Sequence, residues 1–445
     1  MVSKYTLFHI CLVLLGLGVP SRARIITLDE AYERALETDQ SIAIAHDEAA
    51  KARLEPALAL TKMTPRLTGD LSSNRTGRFA SDSPSTSPIN RTSAGAGITL
   101  SQPILDFTVK PAIRSGKLNI QSTLLDYQGT VRDTLLAVAT AYFDVLTQQK
   151  LVAINQESLR LSKEQKELAT ARKNVGEVLQ TDVLKTEVTV QRAQRTLVES
   201  ENALKFRRSI LANILNLGIE AQFDVAEPPK YPFDNETLTS AVMRAKRQRE
   251  DLQTSSLAVE KQKAARDEVN ARYLPSLSAD AGLSRDYSHS NGDGNQENNF
   301  QVGISFNIPL FTGGEKALNL KRSDLEISQA SLELQKTEKA VAENVEEAWL
   351  QVRTLRQNVE GLKVEVAAAE ENYKLLQNQY RAGEVKNLDV VQALTDLNIS
   401  RTDLTVQTYQ LELALRDLAR RTSSFEDDRV QRAMQRHPFP PKPSK

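Results

Sequence analysis

From Phe300 to Ile308 the apolar residues fall on every second position: Phe300, Val302, Ile304, Phe306 and Ile308. Gln301, Gly303, Ser305 and Asn307 sit between them. A period of two predicts a strand with one apolar and one wet face. Pro309 interrupts the alternation, and beyond Gly313-Gly314 the pattern becomes helical for many turns. The same sequence of events occurs earlier, where Ala94, Ala96, Ile98 and Leu100 alternate up to Pro103 and a long helical stretch follows. Each of these strands is preceded by another: Leu67, Gly69 and Leu71 alternate in one case, Leu277, Ala279, Ala281 and Leu283 in the other. The polar stretches "GRFASDSPSTSPINRT" and "SHSNGDGNQENN" predict the loops that join each pair. A proline is expected to end each returning strand, because it lacks the N–H a ladder needs.

Helical periodicity fills most of the remaining chain. A first helix is predicted over 42–62 and again over 253–272, ended by Pro65 and Pro275, with Pro56 kinking the first copy. Long helices follow over 107–173 and 315–380; about 65 residues at 1.5 Å each would span about 100 Å. Leu135, Val138, Tyr142 and Val145 mark one apolar stripe. Turns at Gly176 and Gly383 lead into third helices over 181–215 and 387–421.

The two series can be superimposed. "ALETDQSIAIAHDEAAKARLEP" from Ala35 lies on "AKRQREDLQTSSLAVEKQKAAR" from Ala245, which puts Pro65 on Pro275 without a gap. Pro103 meets Pro309, Gly176 meets Gly383 and Asp182 meets Asp389. The plan of helix, strand, strand, long helix and helix is therefore duplicated, over 24–217 and 237–422, joined by a linker at 218–236. Residues 423–445 are expected to be a disordered tail, ending in "HPFPPKPSK".

Composition sharpens this picture. Lys plus Arg equal Asp plus Glu at 57 each in 445 residues, so no basic field argues for nucleic acid. Aromatics at 5% and charged residues at 26% suit long helices better than a compact sandwich. Residues 1–23 read as a secretory signal peptide: Lys4, an apolar run from Tyr5 to Val19, and small residues around a cleavage site near Ala23. Cys11, the single cysteine, lies inside that segment with no lipobox before it. No later stretch is long and apolar enough to cross a membrane as a helix.

Strands of about 10 residues per arm suit a tilted barrel wall, although alternating strands also cover soluble cores. Thr99, Ser101, Ser278, Asp280 and Ser284 would line a wet interior. In lipid no sheet edge can be left open, so four strands cannot close alone. Two chains would supply about eight strands and three about twelve.

These features together resemble the TolC-like outer-membrane efflux proteins over about 27–422. The resemblance rests on "SQPILDF" and "FNIPLFTGG" at the strand-to-helix junctions, on "ARYLPSLSADAGLS", on "RAGEVKNLDVV" and on the duplicated order of elements. It implies a mainly α fold with membrane β: a homotrimer whose twelve-stranded β-barrel, set in outer-membrane lipid, continues into a long α-helical barrel in the periplasm. It further implies a passive exit duct of a tripartite efflux or type I secretion system. A periplasmic adaptor (membrane fusion) protein and an inner-membrane transporter would be its partners.

By position, Asp389 becomes the candidate acidic ring at the periplasmic gate. The family's second acid is replaced by Gln392. Tyr380 and Asp182, with Thr181 beside it, match a tether across the helix pairs; the arginine expected after the glycine is Val385, leaving Arg381 or Lys386 as substitutes. Gly176 and Gly383 mark the adaptor-contact tips, and Pro103, Pro309, Gly313 and Gly314 the junctions. Each site also has a plainer reading, since Asp favours helix N-caps and glycine ends helices.

Two other classes compete. An enzyme is disfavoured: His46, His289 and His437 have no metal-ligand spacing, and HExxH, G-x-S-x-G and P-loop patterns are absent. No cofactor is expected. A periplasmic coiled-coil scaffold accounts for the helices but leaves the amphipathic strands unexplained.

Overall fold

The computed structural model describes residues 24–77, 90–218, 222–232, 236–290 and 293–436. The proposed signal peptide, most of the first polar loop (78–89) and the last residues of the tail (437–445) lie outside them. The first half runs β1 (Arg24–Ile26), α1 (Leu28–Thr38), α2 (Gln40–Ala52), α3 (Glu55–Thr61), β2 (Arg66–Gly77), β3 (Asn90–Leu105), α4 (Val109–Asn174) and α5 (Gln180–Ile214). The second runs β4 (Phe223–Val225), α6 (Leu238–Gln248), α7 (Glu250–Ala271), β5 (Ser276–Ser290), β6 (Asp293–Asn307), α8 (Glu315–Ala382), α9 (Asn387–Arg421) and α10 (Asp427–Arg436). The chain forms two compact units. Among the described residues, one takes those up to Thr38, Ala137–Tyr231 and Gln357–Leu413; the other takes Asp39–Leu136, Pro232–Arg356 and Ala414 to Arg436.

The second unit carries the strands, in one antiparallel sheet of order β2-β3-β5-β6. Register aligns Leu67, Leu100, Ala281 and Val302 in one rung, and Gly69, Ile98, Leu283 and Phe300 in the next. These rungs stand on one face, and their large side chains are uncovered: Phe300 is 82% and Val302 78% exposed. The intervening rungs, Thr68–Thr99–Gly282–Gln301 and Asp70–Gly97–Ser284–Asn299, make the other face polar. On that face Asp70 and Asp286 lie flat across β3. A Cβ on Gly97 would sit 2.7 Å from Asp70 Oδ1, and one on Gly95 2.9 Å from Asp286 Oδ1, so a larger residue at either position would push the carboxylate aside.

Five expectations are corrected. The strands have 12, 16, 15 and 15 residues, and "SHSNGDGNQENN" is largely ladder rather than loop. Backbone pairing proceeds there whatever the polarity of the side chains. Pro103 does not end β3; it lies inside the strand at a bulge, where register shifts between Pro103 and Leu105. Bulges tolerate a missing N–H. This one also changes the phase, so that Leu105 joins the apolar face opposite Leu277. Pro309, by contrast, follows the end of β6. The helix expected over 42–62 is broken rather than kinked, because Pro56 occupies the first turn of a new helix, α3. Asp39 caps α2 by accepting from the N–H groups of Ser41 and Ile42, at 2.8 and 3.2 Å.

The tail is the fourth. Phe425 is fully buried, and α10 places Val430 and Ala433 in the core. Its approach is held by a buried ionic cluster. Arg132 pairs with Glu250 and Asp427, Arg420 reaches Glu250 at 3.3 Å and Asp133 at 2.6 Å, and Ser423 donates to Glu250 at 2.9 Å. The segment 218–236 is likewise more than a linker in the first unit, since β4 pairs in parallel with β1. The Tyr142 hydroxyl reaches the carbonyls of Ile26 and Ala226 there, at 2.9 and 2.6 Å. The predicted stripe of Leu135, Val138, Tyr142 and Val145 is fully buried.

Glu250 is 6% exposed and faces two guanidinium groups. Removing it takes away their one buried counter-charge and leaves Arg132 only Asp427 and Arg420 only Asp133, carboxylates that are more than half exposed. Glu250→Ala is expected to cost about 3–5 kcal/mol, read as a lowered guanidinium midpoint with early loss of α10.

Candidate functional site at the paired glycine turns

In the first unit both long helices end in the same way. Gly176 at φ 82° donates to Lys173 O at 2.9 Å, and Glu177 N–H to Arg172 O at 2.9 Å. Gly383, also at φ 82°, donates to Tyr380 O at 3.1 Å, and Glu384 N–H to Gln379 O at 2.9 Å. These are Schellman turns, which require a left-handed residue after the helix. The duplicated glycines thus reverse α4 into α5 and α8 into α9.

The acidic residues follow the turns. Asp389 and Gln392 are exposed near the start of α9. The Asp389 carboxylate accepts from the Lys386 N–H at 3.1 Å, the reach-back half of a capping box. Gln392 donates to Asp396 at 2.9 Å. Asp396 lies seven residues beyond Asp389, hence on the same helix face, and sequence reasoning did not single it out. In α5, Thr181 is exposed and Asp182 half-buried in the first turn. Asp182 is not the N-cap, which is Leu179; its charge complements the helix dipole instead.

Between the helix pairs lies an apolar cluster of Leu161, Tyr373, Tyr380, Val390, Ala393, Leu394 and Leu397. Tyr380 is 1% exposed. Among the described residues its hydroxyl has no hydrogen-bond partner. Within the chain Tyr380 and Asp182 therefore share no hydrogen bond through that hydroxyl. Burial pushes the Tyr380 phenol above its usual pKa; the Arg172 guanidinium opposes that shift and the Asp182 charge adds to it. Asp182 is tied through its backbone: its carbonyl accepts from Asn387 Nδ2 at 3.4 Å, while Asn387 Oδ1 accepts from buried Gln165 at 2.7 Å.

Of the substitutes for the missing arginine, Arg381 and Lys386 are both exposed, and Val385 packs on the apolar cluster. The guanidinium at this place is Arg172, from the last turn of α4. It donates to Tyr380 O, lies 4.7 Å from the centre of the Tyr380 ring and pairs with Glu177 at 2.8 Å. Its signal in the sequence was only that of a basic residue near a helix C-terminus.

At the strand-to-helix junctions Gln102 donates to Met63 O at 2.9 Å, bracing β3 beside Pro103. After Pro309, Gly313 and Gly314 take φ values of 60° and 87°, and α8 begins at Glu315. No group of three or more metal-ligating side chains occurs among the described residues, and no described helix is long and apolar enough to cross a membrane.

The profile of the outer membrane efflux proteins matches residues 31–217 and 241–422, the same two stretches that repeat one another. The chain belongs to that family. Outer membrane efflux protein BepC of Brucella suis is 23% identical over 406 residues, covering 88% of this chain and 86% of its own. Proteases secretion protein PrtF of Dickeya chrysanthemi is 24% identical over 408 residues, covering 87% and 86%. The fold is shared with the CmeC outer membrane channel of Campylobacter jejuni, at a TM-score of 0.74 and 15% identity, over 92% of this chain and 89% of that one. This efflux protein is thus an outer-membrane exit channel of the kind that serves tripartite export systems. The uncovered apolar face belongs to the unit that carries the strands, and the glycine turns lie in the other unit.

Asn387→Leu in this efflux protein removes the partner of a buried amide. The cost is expected to be about 1–3 kcal/mol, seen as faster hydrogen exchange across residues 165–182 and 380–390.

Proposed function

We propose that three copies of the chain close one twelve-stranded barrel and form a duct gated at the glycine turns. The observation that carries this reading is the uncovered apolar face of a four-stranded sheet whose outer strands, β2 and β6, each pair on one side only. Lipid covers such a face at little cost but offers nothing to an unpaired backbone. Joining β6 of one copy to β2 of the next satisfies both edges. The rung Leu67–Leu100–Ala281–Val302 then repeats around the outside, and Asp70, Ser284 and Asn299 face the water-filled interior.

At the tip, Asp389 on an exposed face of α9 would meet its copies around the axis and favour cations, with Gln392 and Asp396 on the same face. Tyr380, Asp182 and Thr181 would hold the pairs together, and the turns at Gly176 and Gly383 would receive the periplasmic adaptor, which links the duct to an inner-membrane transporter. Residues 1–23 direct the chain out of the cytoplasm. One relative is named for efflux and another for secretion of proteases, so cargo is chosen by the inner-membrane partner. Nothing in this role calls for covalent chemistry or a cofactor. A scaffold would have no use for the apolar strands.

Native mass spectrometry of the mature protein, extracted from outer membranes in mild detergent, is expected to give a trimer; a detergent-independent soluble monomer would overturn the reading. In planar bilayers Asp389→Asn is expected to reduce cation-over-anion selectivity, seen as a reversal potential moved toward zero under a salt gradient.

A further inference from the structure

We infer that the apolar face of the sheet carries, at its upper border, a binding site for the anionic phosphate headgroup of an outer-leaflet lipid, centred on Arg285 of β5. This rests on the barrel reading above, which sets that face in lipid. The character of the rungs on it changes at one level. Leu277 with Phe306, Ala279 with Ile304, Ala281 with Val302 and Leu283 with Phe300 form an apolar band, about 20 Å of strand. The next rung, Leu71–Ala96–Arg285–Asn298, brings the first charge on this face. It lies toward the hairpin ends, away from the ends where the chain passes into α4 and α8.

Charge is sorted between the two faces. Asp70, Asp280, Asp286 and Glu297 all fall on the opposite, polar face. Arg285 donates instead to the side-chain oxygen of Gln296 on β6, a neutral partner that fixes its direction and leaves its charge whole. Farther toward the hairpin ends, Arg75 and His289 share a rung on the same face, two strands or about 10 Å apart. A second cation thus stands above the first. A guanidinium suits this place, since its planar fork matches phosphate oxygens in pairs.

The sheet also leaves room for the lipid. A depression of about 670 Å³ opens beside Arg285, lined on this face by Leu71, Ala96, Ile98, Leu283 and Asn298. Gly69 and Ala96 present no bulk there and make its floor. An acyl chain fits against these residues with its phosphate at the guanidinium. Tyr287, one rung beyond Arg285, is oriented in the same sense. Its hydroxyl leans toward the hairpin ends, where a Cβ on Gly294 would lie 3.4 Å from it. A tyrosine at a membrane border places its ring toward the apolar side and its hydroxyl toward the headgroups.

The test is native mass spectrometry of the detergent-purified protein titrated with diphosphorylated lipid A and with the same lipid stripped of its phosphates. The unaltered protein is expected to hold up to one phosphorylated lipid per chain and to bind the stripped lipid about tenfold less tightly, the size of one lost charge-assisted contact. R285Q should weaken binding of the phosphorylated lipid by a similar factor, and R285K, which keeps charge without the fork, by less. R91Q removes a cation near the level of Arg75 from the opposite face and should leave binding unchanged. Equal binding of the two lipids, full binding by R285Q, an equal loss in R91Q, or displacement by equimolar inorganic phosphate overturns the site. The comparison of the two lipids needs no variant, so it decides the matter if R285Q does not assemble. A trimer that fails to discriminate the lipids sinks this inference alone; a detergent-independent soluble monomer removes the barrel reading and the site with it.

Discussion

A strand edge in lipid has no water to satisfy it, and much of this protein follows from that constraint. The sheet β2-β3-β5-β6 brings together one hairpin from each half of the chain and pairs its two inner strands on both sides along most of their length. It leaves one open edge at each side and an uncovered apolar face. The proposed closure by further copies resolves edges and face at once. The polar face of the same sheet is then the wall of the passage, and its glycines are functional in a simple sense. Gly95 and Gly97 let carboxylates from neighbouring strands lie flat against it rather than project inward.

Duplication supplied each half with the same solution, and the halves have since diverged where their surroundings differ. Both glycine turns keep the same φ of 82° and the same pair of hydrogen bonds, as a Schellman turn requires. The strand-to-helix junctions differ. Pro309 stands beyond its strand, whereas Pro103 is absorbed into a bulge that turns Leu105 toward the apolar face. Both arrangements keep the ring away from a ladder position that needs an N–H. The first turn of α9 carries a reach-back carboxylate that α5 lacks. At the tip, the guanidinium that the resemblance expected after the second glycine arrives from before the first, on α4. A long side chain can reach the same place from either helix of a contacting pair.

The sequence by itself determined the strand faces, the long helices, the turns and the repeat. Each is set by local physics: alternation by the pleat, helix length by an unbroken 3.6-residue period, and the turns by the one residue that accepts positive φ without strain. Every apolar position read from the alternation lies on one face, save Ile308, which stands beyond the end of β6. Of the candidate site, Asp389 and the two glycines were marked by a repeated motif and Tyr380 by the family resemblance, but not the atoms they touch. Tertiary structure alone decided the rest. The folding of α10 depends on Glu250 and Arg132, which stand 177 or more residues before Asp427, so a polar tail read locally as disordered. The pairing of β1 with β4 likewise joins segments about 200 residues apart, too short to show a period of their own. The contact of Arg172 with Tyr380 emerged only when the fold brought the two together, 208 residues apart along the chain. Periodicity reports which way a side chain faces; which distant partner it meets is fixed only when the chain has closed around it.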